Sequence, residues 1–95
     1  MKVIINRCHG LFSLSYQAIA EYSRRTGKEI DIYFPDRSDP VLVAVVEDLG
    51  ERANGACARL VVVEIPDGVE YEIKEFDGLE HIAEKHRTWG EGART

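Results

Sequence analysis

Ninety-five residues suffice for one hydrophobic core and not for two, because compact domains cluster at about 100–150 residues. Hydrophobic residues make up 44% and charged residues 31%, a globular mix that excludes disordered and collagenous classes. The 17 acids and 12 bases, net charge −5, are interleaved without long blocks, which argues against nucleic-acid binding and against a nucleic-acid mimic.

In chain order, Val3-Ile4-Ile5 opens with three consecutive aliphatic residues and reads as a central strand covered on both faces. Ser13 or Ser15 can cap a helix over 14–26, with Tyr16, Ile19, Ala20 and Ser23 on one face and Gly27 as the stop. Ile30, Ile32 and Phe34 alternate with Glu29, Asp31 and Tyr33, the period-2 pattern of a second strand ended by Pro35. Asp39-Pro40 then opens a helix with a stripe of Leu42, Val45, Val46 and Leu49. Four valines make a strand over 41–46 the alternative, but the cap and Glu47-Asp48 favour helix. Asn54-Gly55 reads as its exit, with Gly50 either an earlier stop or a close-packed site.

Leu60–Ile65 is apolar, and mostly β-branched, at nearly every position and is expected in the sheet centre, where Glu64 would need a partner if buried. Pro66-Asp67-Gly68 has the order of a tight turn, so residues 69–76 are expected to return antiparallel to it. Residues 79–87 fit two forms. Asp77 with Glu80 makes a capping box, and Leu79, Ile82, Ala83 and His86 have helical spacing. A hairpin at Asp77-Gly78 instead sets Ile73 opposite Ile82 and Phe76 opposite Leu79. The helix is narrowly favoured. Residues 90–95 read as a disordered tail beyond a single domain over 1–89.

The fold class that emerges is α+β, or a small α/β, with a three-to-four-stranded mixed sheet packed by two or three helices. The order is β-α-β-α-β-β followed by a helix or strand, with the first three strands parallel through right-handed crossovers. No apolar run approaches the roughly 18–20 residues of a membrane span, and the first residues are too soon polar for a signal peptide, so a cytoplasmic location is expected. Cys8 and Cys57 lack paired spacing, which sets aside a disulfide framework and a four-thiolate zinc site.

Parallel strands would bring Asn6-Arg7-Cys8-His9-Gly10 and Pro35-Asp36-Arg37-Ser38-Asp39 out at one sheet edge, where open α/β sheets collect ligands. Arg7 and Arg37 could offer paired forks to a carboxylate or phosphate, with the first helix aiming its N–H groups there from Ser13 to Ser15. The ordinary alternative is loop and cap chemistry, with the arginines paired to local acids. Arg87 and Trp89 either pack the tail or shape a pocket. Cys8 and His9 point to opposite faces of an extended chain, which places His9 badly as a base for a thiol nucleophile. His81 and His86 are five residues apart, not four, so no helical metal pair is expected, and no cofactor is called for.

A longer pattern carries a resemblance. Asn6-Arg7-Cys8 with Gly10, Phe12 and Leu14-Ser15 is followed by Arg37 with Asp39-Pro40, Val45-Val46-Glu47, Leu49-Gly50 and Ala53-Asn54-Gly55. Val63-Glu64-Ile65-Pro66-Asp67, Glu72-Ile73, Asp77-Gly78, Glu80, Glu84 and His86-Arg87-Thr88-Trp89 complete it. The chain resembles a family of short uncharacterised proteins of tailed phages and prophages. That family brings no activity. His9 and Leu11 stand where the relatives show an aromatic and a glycine, and His81 where they often show tryptophan.

The resemblance and the residues together imply a phage or prophage accessory protein that captures an anionic small molecule, a nucleotide being one form, at the Arg7/Arg37 edge. Modulation of a host protein by surface contact is the alternative, and a Cys8-dependent hydrolase or transferase the third. A homo-oligomer is also expected, because a small sheet gains by pairing exposed edges.

Overall fold

The computed structural model describes residues 1–32 and 34–85. The architecture is α+β, and its strands are antiparallel throughout. Strand β1 (Lys2–Asn6) is followed by helices α1 (Tyr16–Thr26) and α2 (Pro40–Leu49), a 3-10 turn (Gly50–Ala53), and strands β2 (Leu60–Glu64), β3 (Tyr71–Phe76) and β4 (Leu79–Glu84). β1 pairs β2, with Ile4 opposite Val62, and β3 pairs β4 in a second two-stranded sheet. The expected mixed sheet is therefore replaced by two hairpin-like sheets.

Both helices start where their caps predict. The Ser15 side chain accepts from the Ala18 N–H, and Gly27, at φ 72, closes α1 with its N–H on the Ser23 carbonyl. The buried face of α1 is Ala18 and Tyr22, an i,i+4 pair, whereas Tyr16 and Ala20 are exposed. The face expected from Tyr16 is thus rotated, because the Tyr22 hydroxyl reaches down to donate to Asp39 at the start of α2.

Asp39 caps α2 through the Val41 N–H, and Pro40 occupies the first turn, where its missing N–H costs nothing. Val41, Val43, Val45 and Val46 each lower helix propensity by roughly half a kcal/mol. Burying Leu42, Val43, Val45 and Val46 gains about 1.5–3 kcal/mol apiece, so packing decides for the helix. Gly50 ends it, and the Asn54-Gly55 exit follows the 3-10 turn. Ile4, Leu14, Ala53 and Leu60 complete the core with these helical residues.

Three expected elements differ. Residues 30–32 and 34 form no strand; Tyr33 lies outside the described residues. The Asp31 carboxylate accepts from the Phe34 N–H, a local bond that bends the chain out of a ladder. Ile32 and Phe34 are exposed, and the β1 edge that this strand would have paired is taken by Arg37, whose carbonyl accepts from the Ile4 N–H. Second, Pro66-Asp67-Gly68 does turn, with Gly68 at φ 82, but β3 does not return along β2. β3 pairs forward with β4, and β2 lies at the edge of its sheet, not in the centre. Third, residues 79–84 are strand. Asp77 at φ 55 and Gly78 at φ 89 form the tight two-residue loop whose twist suits a hairpin, in the register Ile73 opposite Ile82 and Phe76 opposite Leu79. Glu64 is exposed and faces Lys2 across the β1–β2 ladder.

Candidate functional site

The side chains of Glu80 and Asn6 tie the two sheets together. The main-chain groups of Ile4 and Asn6 point away from β2, toward an edge that would otherwise be open. There the Ile4 N–H donates to the Arg37 carbonyl, and the Ile4 carbonyl accepts from the Arg37 guanidinium. The Asn6 N–H donates to Glu80 Oε1 at 2.8 Å. Arg37 and Glu80 meet fork to fork, at 2.7 and 3.0 Å, with side chains only 17% and 8% exposed. The Phe12 ring lies 3.7 Å from the guanidinium carbon and closes its other side.

Asn6 is fully buried and fully used. Its Nδ2 donates to the carbonyls of Cys8, Gly10 and Gly78, and its Oδ1 accepts from the Arg59 N–H. This draws three backbone segments together so tightly that Gly10 has no room for a side chain. A Cβ on Gly10 would stand 2.2 Å from the Cys57 carbonyl oxygen, and one on Gly78 would stand 1.8 Å from that of Gly10. The close backbone approach at Gly10 is therefore made within the protein.

The parallel edge expected at the strand exits does not exist, because β1 and β2 run in opposite directions and no strand forms over 29–34 among the described residues. Asn6 and Arg37 are held in the knot just described. Ser13 donates to the Ala56 carbonyl, Ser15 donates to the Arg52 carbonyl while capping α1, and Asp39 caps α2. Burial pushes the Asp39 carboxyl up, but the Tyr22 hydroxyl and the Val41 and Leu42 N–H groups outweigh it and hold it below the usual carboxylate range. The same bond, aided by burial, raises Tyr22. Cys8 is half-buried and His9 exposed, and among the described residues no imidazole hydrogen bond reaches the Cys8 sulfur. Arg87, His86 and Trp89 lie outside the described residues.

Arg7 remains. It is exposed, and its guanidinium donates to the Glu80 carbonyl at 2.7 Å. It stands on the face of the β1–β2 sheet turned away from the helices, where odd-numbered residues alternate: Ile5 on β1 with Arg7 just past its end, and Val61 and Val63 on β2 with Arg59 just before its start. β4 adds His81 and Ile82 as a wall, and together these residues line an open groove of about 510 Å³. Its floor is aliphatic, and its polar side chains are two arginines and one histidine. Among the described residues no acid lines it, although acids outnumber bases 17 to 12 in the chain. The Arg59 side chain has no hydrogen-bond or ion-pair partner among the described residues.

Arg59 was not among the residues singled out from sequence, because its place beside Arg7 depends on antiparallel pairing of segments more than fifty residues apart. From sequence, His81 enters the site chemistry only beside His86, as a helical metal pair, on a helix that the chain does not form.

A second, smaller cavity of about 340 Å³ lies over the Arg37–Glu80 pair, rimmed by Leu11, Phe12, Phe34 and Ile73. Leu11 and Phe34 are 78% and 85% exposed. Among the described residues there is no group of three or more metal-ligating side chains, and no helix is long and apolar enough to cross a membrane. Comparisons with protein-family models, curated proteins and solved structures found no match.

Proposed function

We propose that the chain is a binding protein for a small anion carried on an apolar body, a single carboxylate or phosphate joined to an aliphatic or aromatic group. The observation that carries this reading is the groove: an aliphatic floor bordered by Arg7, Arg59 and His81, with no acidic side chain in its lining among the described residues. Apolar surface supplies contact area, and the two guanidiniums supply charge-assisted hydrogen bonds to the head group. Arg7 is positioned for this, since one of its nitrogens is fixed on the Glu80 carbonyl and the rest of the fork is left to a ligand. Arg59 takes the part that sequence reasoning gave to Arg37. The resemblance to short phage proteins sets such a molecule among phage or prophage accessory functions.

Calorimetric titration with dodecanoate, phenyl phosphate, AMP and inorganic phosphate tests the reading. Saturable binding is expected for an anion with an apolar body, and none for inorganic phosphate. Arg7→Ala should weaken it by about tenfold or more, the worth of a charge-assisted bond. Equal affinity in the parent and in Arg7→Ala, or no binding by any probe, rejects the reading.

Contact with another protein is the second reading, favoured by exposed Leu11 and Phe34 on the rim of the smaller cavity. Under it, Leu11→Asp with Phe34→Asp would abolish partner binding and leave anion binding untouched.

A further inference from the structure

The two edges of the β1–β2 sheet are treated differently. The β1 edge is sealed by Arg37 and by the Glu80 carboxylate. On β2, odd-numbered residues turn their main-chain groups toward β1, as the Arg7 N–H on the Arg59 carbonyl and the Ile65 N–H on the Met1 carbonyl show. Even-numbered residues therefore face outward. The Leu60 N–H is satisfied by Asn54 Oδ1 at 2.8 Å. The N–H and C=O groups of Val62 and Glu64 have no main-chain or side-chain partner among the described residues. A Val-rich strand with four unpaired outward-facing backbone groups on Val62 and Glu64, and no proline or lysine, is an edge ready to pair.

We propose that β2 pairs antiparallel with β2 of a second copy of this chain, about a two-fold axis at Val63, joining two two-stranded sheets into one of four strands. One register satisfies the edge. With Val62 opposite Glu64 of the second copy, and the reverse, all four free groups on each strand are used. Leu60 keeps its bond to Asn54 and falls opposite Pro66, which has no N–H to offer.

The side chains agree with this register. On the groove face Val63 meets Val63 of the second copy, Val61 meets Ile65, and Arg59 meets Asp67, an opposite-charge pair. Asp67 is exposed and, among the described residues, engaged only through Oδ1, by the Met1 amine. Arg59 has five N–H donors, enough to hold Asp67 on one side and leave others to the groove. The two Glu64 carboxylates come diagonally across the axis, each with Lys2 beside it on β1. The proposal goes beyond ligand binding, and it does not need a ligand.

Sedimentation equilibrium of the full 95-residue chain, without added anion, measures it directly. A particle of twice the 10.7 kDa chain mass is expected at high concentration, dissociating on dilution. Arg59→Glu and Asp67→Arg should each raise the dissociation constant by about tenfold, and the double swap should restore it. Arg7→Ala should leave it unchanged, which separates failure of the dimer from failure of the anion site. Val62→Pro, with its fold checked by circular dichroism, should abolish the dimer. A monomer at every concentration, or a dimer indifferent to the charge swap, overturns the proposal.

Discussion

At the residue scale, Glu80 combines three jobs, two through its carboxylate and one through its main-chain carbonyl. Its carboxylate accepts from the Arg37 fork and from the Asn6 N–H, and its carbonyl holds Arg7. Glu80→Gln sets an amide N–H against a guanidinium that is largely closed off by Phe12, and removing one partner of a buried pair costs about 3 kcal/mol. Urea unfolding of Glu80→Gln against the parent measures it, and a loss under about 1 kcal/mol would mean the pair is mere surface chemistry.

The Tyr22–Asp39 bond gives a pH window. Asp39 is lowered in the folded state, so its contribution is complete above about pH 4 and fades as pH falls through its folded value. Tyr22 is raised, so its contribution is complete below about pH 10 and fades as pH rises through its folded value. Tyr22→Phe should cost about 1 kcal/mol between these limits and less outside them, read from melting temperature against pH. Glu21 behaves otherwise. Arg24 and Arg25 hold its carboxyl at about 2, but it is a solvated helix pair and contributes little.

At the element scale, both helices and β1 were legible because their signals are local: Ser15 and Gly27, Asp39 and Pro40, and an aliphatic run. Apart from the rotated face of α1, the failures concern pairing between segments. Ile30, Ile32 and Phe34 alternate as a strand should, yet Asp31 bonds locally and Arg37 takes the edge that strand needed. Residues 79–84 fit helix and hairpin equally by spacing, and positive φ at Asp77 and Gly78 decides for the hairpin. Of the candidate site, Arg7 was legible, but Arg59 and His81 reach it only through antiparallel partners. The β3–β4 hairpin joins the rest through Gly78 and Glu80, whose neighbours Asn6 and Gly10 lie some seventy residues earlier. Gly78→Ala strains a positive φ and drives a Cβ into the Gly10 backbone. Hydrogen exchange should then quicken over 71–84 while α1, α2 and β1 keep their protection. Unchanged exchange in the hairpin would mean it is held by other contacts.

At the scale of the whole molecule, a chain of net charge −5 repels anions at long range, so a groove for them must act at contact distance. Raising ionic strength to 0.15 M shortens the screening length to about 8 Å, removing much of that repulsion while leaving contacts inside the groove. The apolar part of the ligand therefore carries much of the affinity, and dodecanoate should bind on the order of a hundredfold more tightly than octanoate under the same buffer, since four further buried methylenes at about 0.8 kcal/mol each add about 3 kcal/mol. Equal affinities would place the chain in solvent.

Amide chemical-shift mapping during a dodecanoate titration locates the ligand on the parent protein. The groove predicts shifts concentrated at Ile5, Arg7, Arg59, Val61, Val63, His81 and Ile82. Shifts gathered instead at Leu11, Phe34 and Ile73, or scattered without saturation, would contradict a binding site between the two sheets.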